Sequence, residues 1–593
     1  MKNIFLFSII AIISGSVFSQ AVRPCAIKEY TDIWPSVDSM PNKQKHQIAV
    51  RERQKPPAGC DIRMPRLEWY EPPLENENTR ACMILISGGA YQNCCDGYWV
   101  DWLARRLVQR GVTCVSLIYR TPRPKGLEIF ATAWQDGQRA VRIVRSEAAK
   151  RGYDPEKIGV MGFSAGAHLT LMLATSSQTN AYEKLDALDD LPCHVNIAVP
   201  IYPAYVLNDG LTGPNKRDGD APDIKLSSAF KFDSKTPPMS FFHGGVDIYS
   251  PNGTTQIYRQ LRRMGVPAEV HIYPDRNHGF FAGAKKGSGA ANWYGRIEEF
   301  LVQTAFLGPV PEQVPLSPRI ANVKCKIEEK QDIWPEGKTP DFQDHQEKPY
   351  IEWYVPSNLT TKAIQIIYSG GGYNKNSTGR YEVAPVRRYL NAKGMAVVTL
   401  KYRSPRPNPP LPKHLSAWQD LQRAIRIVRS QAESKGLDPN KIGIMGSSAG
   451  GHLSLLGATS SMRNSYYRGI DKIDKLPCNV QWAIAVYPAY SIVGPDGNVD
   501  SGPGNEDTTR LSPELSFDLN TCPTLFLHGD ADPYTAMNSV KCWEQMRRMG
   551  VQGELHTLAL RTHSFQAKAS PGTGSYTWID RIWEFLVHKG FDK

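Results

Sequence analysis

Along this chain, short apolar runs that stop at glycines alternate with longer stretches whose apolar residues recur every three to four positions. Residues 81–87 and 363–369 are runs of the first kind, the pattern of a buried strand and a turn. Residues 99–110 have helical spacing, 112–119 read as the next strand, and 131–151 as a long amphipathic helix whose Arg-rich face is expected in solvent. Residues 157–162 and 441–446 are short strands, each leading through small residues into another helix, 168–175 in the first case. Strand, helix, strand, helix implies an α/β fold with a mostly parallel sheet and helices on both faces, because parallel strands need long crossovers.

The pattern is written twice. Asp32-Ile33-Trp34-Pro35 returns as Asp332-Ile333-Trp334-Pro335, and Leu67-Glu68-Trp69-Tyr70 as Ile351-Glu352-Trp353-Tyr354. Ala133-Trp134-Gln135-Asp136 returns as Ala417-Trp418-Gln419-Asp420, and Tyr202-Pro203-Ala204-Tyr205 as Tyr487-Pro488-Ala489-Tyr490. The offset falls from 300 (332 − 32) to 284 (351 − 67) and then stays near that value, so the second copy has a shorter leading loop. A period this long means duplicated domains, not a solenoid of ~20–50-residue repeats. A proline-rich stretch, 308–318, reads as a stiff linker, which divides the chain into units 21–312 and 313–593.

Composition changes this picture little. A length of 593 residues exceeds one ordinary core, and 41% apolar with 22% charged residues suits a folded soluble protein. The net charge of +12 comes from basic residues scattered along the chain, which argues against nucleic acid as a partner. Residues 1–20 have the layout of a secretory signal peptide: Lys2, an apolar run too short to span a bilayer, then small residues. A secreted or periplasmic protein without a membrane partner is expected. The 11 cysteines show no CxxC pair and no zinc-site spacing.

Candidate chemistry lies where strand meets helix. Gly162-Phe163-Ser164-Ala165-Gly166 and Gly446-Ser447-Ser448-Ala449-Gly450 each follow a strand and open a helix, the context that a G-x-S-x-G nucleophile elbow requires. A serine hydroxyl needs a base that is oriented by an acid. Asp247 and Asp532 follow apolar runs at separations of 83 (247 − 164) and 84 (532 − 448) from their serines. His278 and His563 each follow 31 residues later (278 − 247 and 563 − 532), giving the order serine, acid, histidine. Ser87-Gly88-Gly89-Ala90-Tyr91 and Ser369-Gly370-Gly371-Gly372-Tyr373 supply loops whose backbone N–H groups can approach a developing oxyanion. Gly89 or Ala90 would pair with Ala165 as donors, and Gly371 or Gly372 with Ala449.

On these residues, with Tyr119-Arg120 and Tyr402-Arg403, Asp154-Pro155 and Asp438-Pro439, and Ser-Ala-Gly-x-His at 164–168 and 448–452, the chain resembles two copies of an α/β-hydrolase of the esterase/lipase branch. It is similar to bacterial secreted carbohydrate esterases of the acetyl-xylan and feruloyl esterase type. The resemblance implies serine ester hydrolysis of an acylated polysaccharide or oligosaccharide, with no metal or organic cofactor. Alternatives are a serine peptidase of the prolyl-oligopeptidase type, or a tandem protein with one silent domain. Ala90 and Ala167 stand where this family commonly has glycine, which puts the width of the first oxyanion pocket in question. Ser564 stands where glycine usually follows the base, which puts the placement of His563 in question.

Other polar residues read as structural. His168 and His452 sit on the helix after the elbow, His243 and His528 shape the acid loop, and Trp134 and Trp418 fit core positions. Asp530 rivals Asp532, but its counterpart Gly245 has no carboxylate. The loops 206–236 and 491–519 differ most between copies and read either as variable surface loops or as segments that shape substrate pockets.

Overall fold

The computed structural model describes residues 29–43, 63–73, 76, 78–94, 98–208, 224–308, 325–460, 465–494 and 508–593. The expected signal peptide 1–20, the expected boundary near 312 and much of the two variable loops lie outside these residues. The first half contributes strands β1 (Glu29–Asp32), β2 (Arg66–Tyr70), β3 (Cys82–Ile86), β4 (Thr113–Ile118), β5 (Ile158–Phe163), β6 (Ile197–Ile201), β7 (Met239–Gly244) and β8 (Ala268–Tyr273). Its helices are α1 (Tyr98–Gln109), α2 (Ala131–Arg151), α3 (Ala165–Thr175), α4 (Asn252–Arg263) and α5 (Trp293–Gln303). The second half repeats the plan with β9 (Glu329–Asp332), β10 (Tyr350–Tyr354), β11 (Ile364–Tyr368), β12 (Ala396–Lys401), β13 (Ile442–Ser447), β14 (Trp482–Val486), β15 (Thr524–Gly529) and β16 (Gly553–Leu558). The matching helices are α6 (Ala384–Ala392), α7 (Leu415–Gln431), α8 (Ala449–Ser460), α9 (Met537–Arg548) and α10 (Trp578–Lys589). Within each half the first strands pair antiparallel and the rest run parallel. Among the described residues no helix is long and apolar enough to cross a membrane.

The repeated motifs meet at one buried node in each half. Trp34 Nε1 donates to Asp136 (2.7 Å), as do the Arg120 backbone N–H (2.8 Å) and Nε (2.8 Å). Trp334 and Arg403 hold Asp420 in the same way, at 2.7, 2.7 and 2.9 Å. Both carboxylates are fully buried, so each depends on these donors to offset its lost hydration.

The Arg-rich faces of α2 and α7 correct the expectation of solvent. Arg139, Arg142 and Arg145 are buried, and so are Arg423, Arg426 and Arg429. Arg139 donates to Ile33 O and pairs with Asp186 and Asp189, Arg142 reaches Leu191 O, and Arg145 reaches Pro192 O and His194 O. The irregular segment between α3 and β6 leaves its carbonyls unpaired, and guanidinium groups have the reach and the donors to satisfy them. Trp418 is buried as expected, and Trp134 packs partly buried against the same core.

The two halves are not separate beads. β8 pairs antiparallel with β16, so sixteen strands form one continuous sheet. The junction has an internal two-fold: Arg296 pairs with Glu584, and Arg581 with Glu299, each at 2.6 Å. Arg262 likewise donates to Asp530 O, and Arg547 to Gly245 O. Such reciprocal exchange is the signature of an isologous contact. Asp530, the rival acid, works here, accepting from Tyr258 and Arg262 of the first half.

At the axis, His271 Nδ1 and His556 Nδ1 stand 2.8 Å apart. His271 Nε2 lies 3.1 Å from Glu269, and His556 Nε2 2.8 Å from Glu554. Burial holds both imidazoles neutral, pulling each below the usual histidine range. Two neutral rings between two carboxyls can be fully bonded only if one carboxyl keeps its proton. Burial, then the nearby Glu584 carboxylate, pushes Glu554 up to about 8, which makes it that group. The chain therefore runs from the Glu554 hydroxyl through His556 and His271 to the Glu269 carboxylate.

Candidate active site

Each elbow is a strained backbone position held from both sides. Ser164 has φ +54° and Ser448 φ +58°, between β5 and α3 and between β13 and α8. Such a conformation costs about 1–3 kcal/mol and persists because sheet and helix fix its neighbours. The helices begin one residue after the serine, at Ala165 and Ala449, earlier than the sequence pattern placed the first. The flanking glycines are required: a Cβ on Gly162 would lie 2.4 Å from Gly166 O, and one on Gly446 2.4 Å from Gly450 O.

The predicted partners converge on both serines. His278 Nε2 lies 2.8 Å from Ser164 Oγ, and His563 Nε2 2.8 Å from Ser448 Oγ. His278 Nδ1 meets Asp247 at 2.9 Å, and His563 Nδ1 meets Asp532 at 2.7 Å. Both aspartate side chains are fully buried. Burial pushes their carboxyls up, but bonds from His243 and His278, and from His528 and His563, outweigh it and hold both below the usual carboxylate range. Tyr249 N–H and Tyr534 N–H each donate to the other oxygen, at 2.9 and 2.8 Å. Ser564 adopts φ +60°, close to the +69° of Gly279, and His563 keeps its distance to the serine.

The oxyanion-loop candidates stand beside the serines. Ala165 and Ala449 are the first residues of their helices, where the N–H has no carbonyl of its own helix to bond. Gly89, Ala90, Gly371 and Gly372 all have positive φ, at 127°, 55°, 116° and 63°. Ala90 therefore carries left-handed strain that Gly372 avoids. Gly370 is close-packed as well: a Cβ there would meet Ser448 Cβ at 2.8 Å. His168 and His452 pin these loops, bonding Tyr91 and Tyr373 hydroxyls at 2.8 Å. Burial pulls His168 down to about 3, so it serves as a neutral anchor.

Sequence reasoning missed two groups. Tyr202 and Tyr487 set their rings 4.7 Å from the bases, and the only signal was the repeated Tyr-Pro-Ala-Tyr. Arg123 clamps the first oxyanion loop, donating to Ala90 O (2.9 Å) and the Tyr205 hydroxyl (2.8 Å). In the first half, Ser164 and His278 open into a cavity of about 560 Å³ walled by Trp99, Phe163, Tyr202 and Ile248.

The BD-FAE family model matches residues 67–259 and again residues 351–545. The chain belongs to the BD-FAE family. Each matched segment holds one elbow serine and its acid, so family membership covers both halves. Among curated relatives, endo-1,4-beta-xylanase B of Butyrivibrio fibrisolvens is 28% identical over 231 residues, 36% of each chain. Acetylxylan esterase of Xylanibacter ruminicola is 36% identical over 114 residues, 19% of this chain and 22% of the relative. Esterase LipQ of Mycobacterium tuberculosis is 27% identical over 233 residues, 36% of this chain and 53% of the relative. The chain thus spans between about a fifth and about half of these relatives' lengths. A solved acetyl ester-xyloside bifunctional hydrolase from Caldicellulosiruptor lactoaceticus is 24% identical, covering 44% of this chain and 97% of its own, at a TM-score of 0.37.

Proposed function

We propose that this chain is an exported serine carboxylic-ester hydrolase with two working sites, Ser164-Asp247-His278 and Ser448-Asp532-His563. The observation that carries this reading is the continuous contact from serine through histidine to a buried ionised aspartate, present in both halves. Serine Oγ attacks the ester carbonyl while histidine Nε2 takes its proton, and the aspartate fixes Nδ1–H and stabilises the imidazolium. Backbone N–H groups of Gly89 or Ala90 with Ala165, and of Gly371 or Gly372 with Ala449, receive the oxyanion. Histidine returns the proton to the leaving alcohol, and water then releases the acid by the same steps in reverse.

Relatives named for xylan and acetylxylan chemistry support acyl groups on plant polysaccharide as the substrate. The leading segment 1–20 supports export. Hydrolysis of p-nitrophenyl acetate by wild type, Ser164→Ala, Ser448→Ala and the double variant tests the reading. Each single variant is expected to keep the other half's activity and the double variant to lose both. Full activity in the double variant overturns the proposal.

A further inference from the structure

Each half reaches across the seam to the loops that carry the other half's acid and base. Arg262, near the end of α4 in the first half, donates to the Asp530 carbonyl, to the Asp530 carboxylate (2.8 Å) and to the Thr535 hydroxyl (3.2 Å). Asp530 and Thr535 lie on either side of Asp532, and the Thr535 N–H donates to Asp532 O at 2.9 Å. Arg547, at the matching place on α9 in the second half, donates to Gly245 O, two residues before Asp247.

The base loops are gripped across the same seam. Asp275, three residues before His278, lies 2.7 Å from His588 Nε2 and accepts from Lys589 at 3.1 Å, both at the end of α10. Arg561, two residues before His563, donates to Gln303 at the end of α5, at 3.1 Å. Within each half the two loops are tied together. Val246 N–H donates to Arg276 O at 3.0 Å, and Ala531 N–H to Arg561 O at 2.9 Å. Gly244 and Gly529 permit that approach, since a Cβ on either would lie 2.3 Å from the Arg276 or the Arg561 carbonyl oxygen. A shift of an acid loop is therefore passed on to the histidine that must meet the serine.

We infer that Arg262 and Arg547 are positioning residues that act across the seam, each setting the acid and base of the site in the other half. Such residues touch no reacting atom, but a misplacement of about 1 Å at the reacting groups costs about 100-fold in rate. The second site depends more on its arginine, because losing Arg262 leaves the buried Asp530 carboxylate without its cation, whereas Gly245 has no side chain to strand. This inference rests on the ester-hydrolase reading of both sites.

Arg262→Gln and Arg547→Gln are each placed in full-length Ser448→Ala, which reports the first site, and in Ser164→Ala, which reports the second. Turnover of p-nitrophenyl acetate is expressed per reactive serine, counted with diethyl p-nitrophenyl phosphate, so that unfolded chains do not enter kcat. Arg262→Gln is expected to lower kcat of the second site at least about tenfold with KM within about twofold, and to leave the first site within about twofold. Arg547→Gln is expected to strike the first site and spare the second. A seam that only holds the halves together predicts that each change acts on both sites alike. Equal losses, a larger loss in the arginine's own half, or no loss beyond about twofold overturns the inference. Arg547→Gln strands no charge and decides the matter if Arg262→Gln does not fold. If one site is silent in every protein, the two arginine variants are compared at the other. Absence of turnover in both single-serine proteins before any arginine is changed overturns the ester-hydrolase reading, and the inference falls with it.

Discussion

At the reacting atoms the two halves are alike. Serine and base stand 2.8 Å apart in each, and each acid is buried, contacting its base and lying within 3.3 Å of a second histidine. A few residues away they part: Phe163 packs against Tyr202 in one half, whereas Ser447, Gln566 and Glu382 surround the Tyr487 hydroxyl in the other. Duplication leaves chemistry fixed where every group must contact another, because a lost proton acceptor cannot be compensated.

The likeness is tested most severely at the acids. Asp247→Asn in Ser448→Ala, and Asp532→Asn in Ser164→Ala, should each lower kcat by about 10⁴-fold, because the amide selects the wrong imidazole tautomer. A loss confined to one half would mean that only that half uses its acid.

The junction offers a difference between equivalent positions. Glu554 faces Glu584 and Asp275, while Glu269 accepts from Ser240 at 2.9 Å. Glu554 has its folded value raised from 4.5 to about 8, so its proton stabilises the fold fully below about 4.5, and that contribution is lost as pH rises through 8. Glu554→Gln keeps a donor for His556 without titrating. Denaturant unfolding between pH 5 and 9 should show wild type losing at least about 1 kcal/mol more than this variant. Parallel curves would remove the proton from the Glu554–His556–His271–Glu269 chain.

An effect of similar size is expected at the oxyanion loops. Gly372→Ala should cost about 1–2 kcal/mol of stability for its left-handed conformation, while Ala90→Gly relieves the same strain. The added methyl at 372 meets only the Tyr490 hydroxyl, at 3.5 Å, so steric collision does not confuse the measurement. Thermal unfolding of the two variants reads the opposite signs.

Much of the site was legible because its constraints are local in sequence. An elbow needs glycines two residues either side of the serine, and the order serine, acid, histidine survives in the chain itself. The Arg139–Arg145 and Arg423–Arg429 faces misled for the opposite reason. Periodicity scores arginine as a solvent residue, but these guanidiniums bond carbonyls about 50 residues further on, which no window along the chain contains. Tyr202 and Tyr487 were visible as repeats yet silent about the base they cover.

The sequence by itself determined the duplication, the α/β alternation and which six serine, aspartate and histidine residues meet, since strand–turn–helix strain and motif order are encoded within short segments. Only the tertiary structure decided that β8 and β16 join the halves into one sheet, that Asp530 belongs to that seam, and that Phe163 lines a cavity beside Ser164. These outcomes depend on edges and side chains meeting across some 285 residues, where complementarity in space is the deciding interaction and leaves no periodic trace.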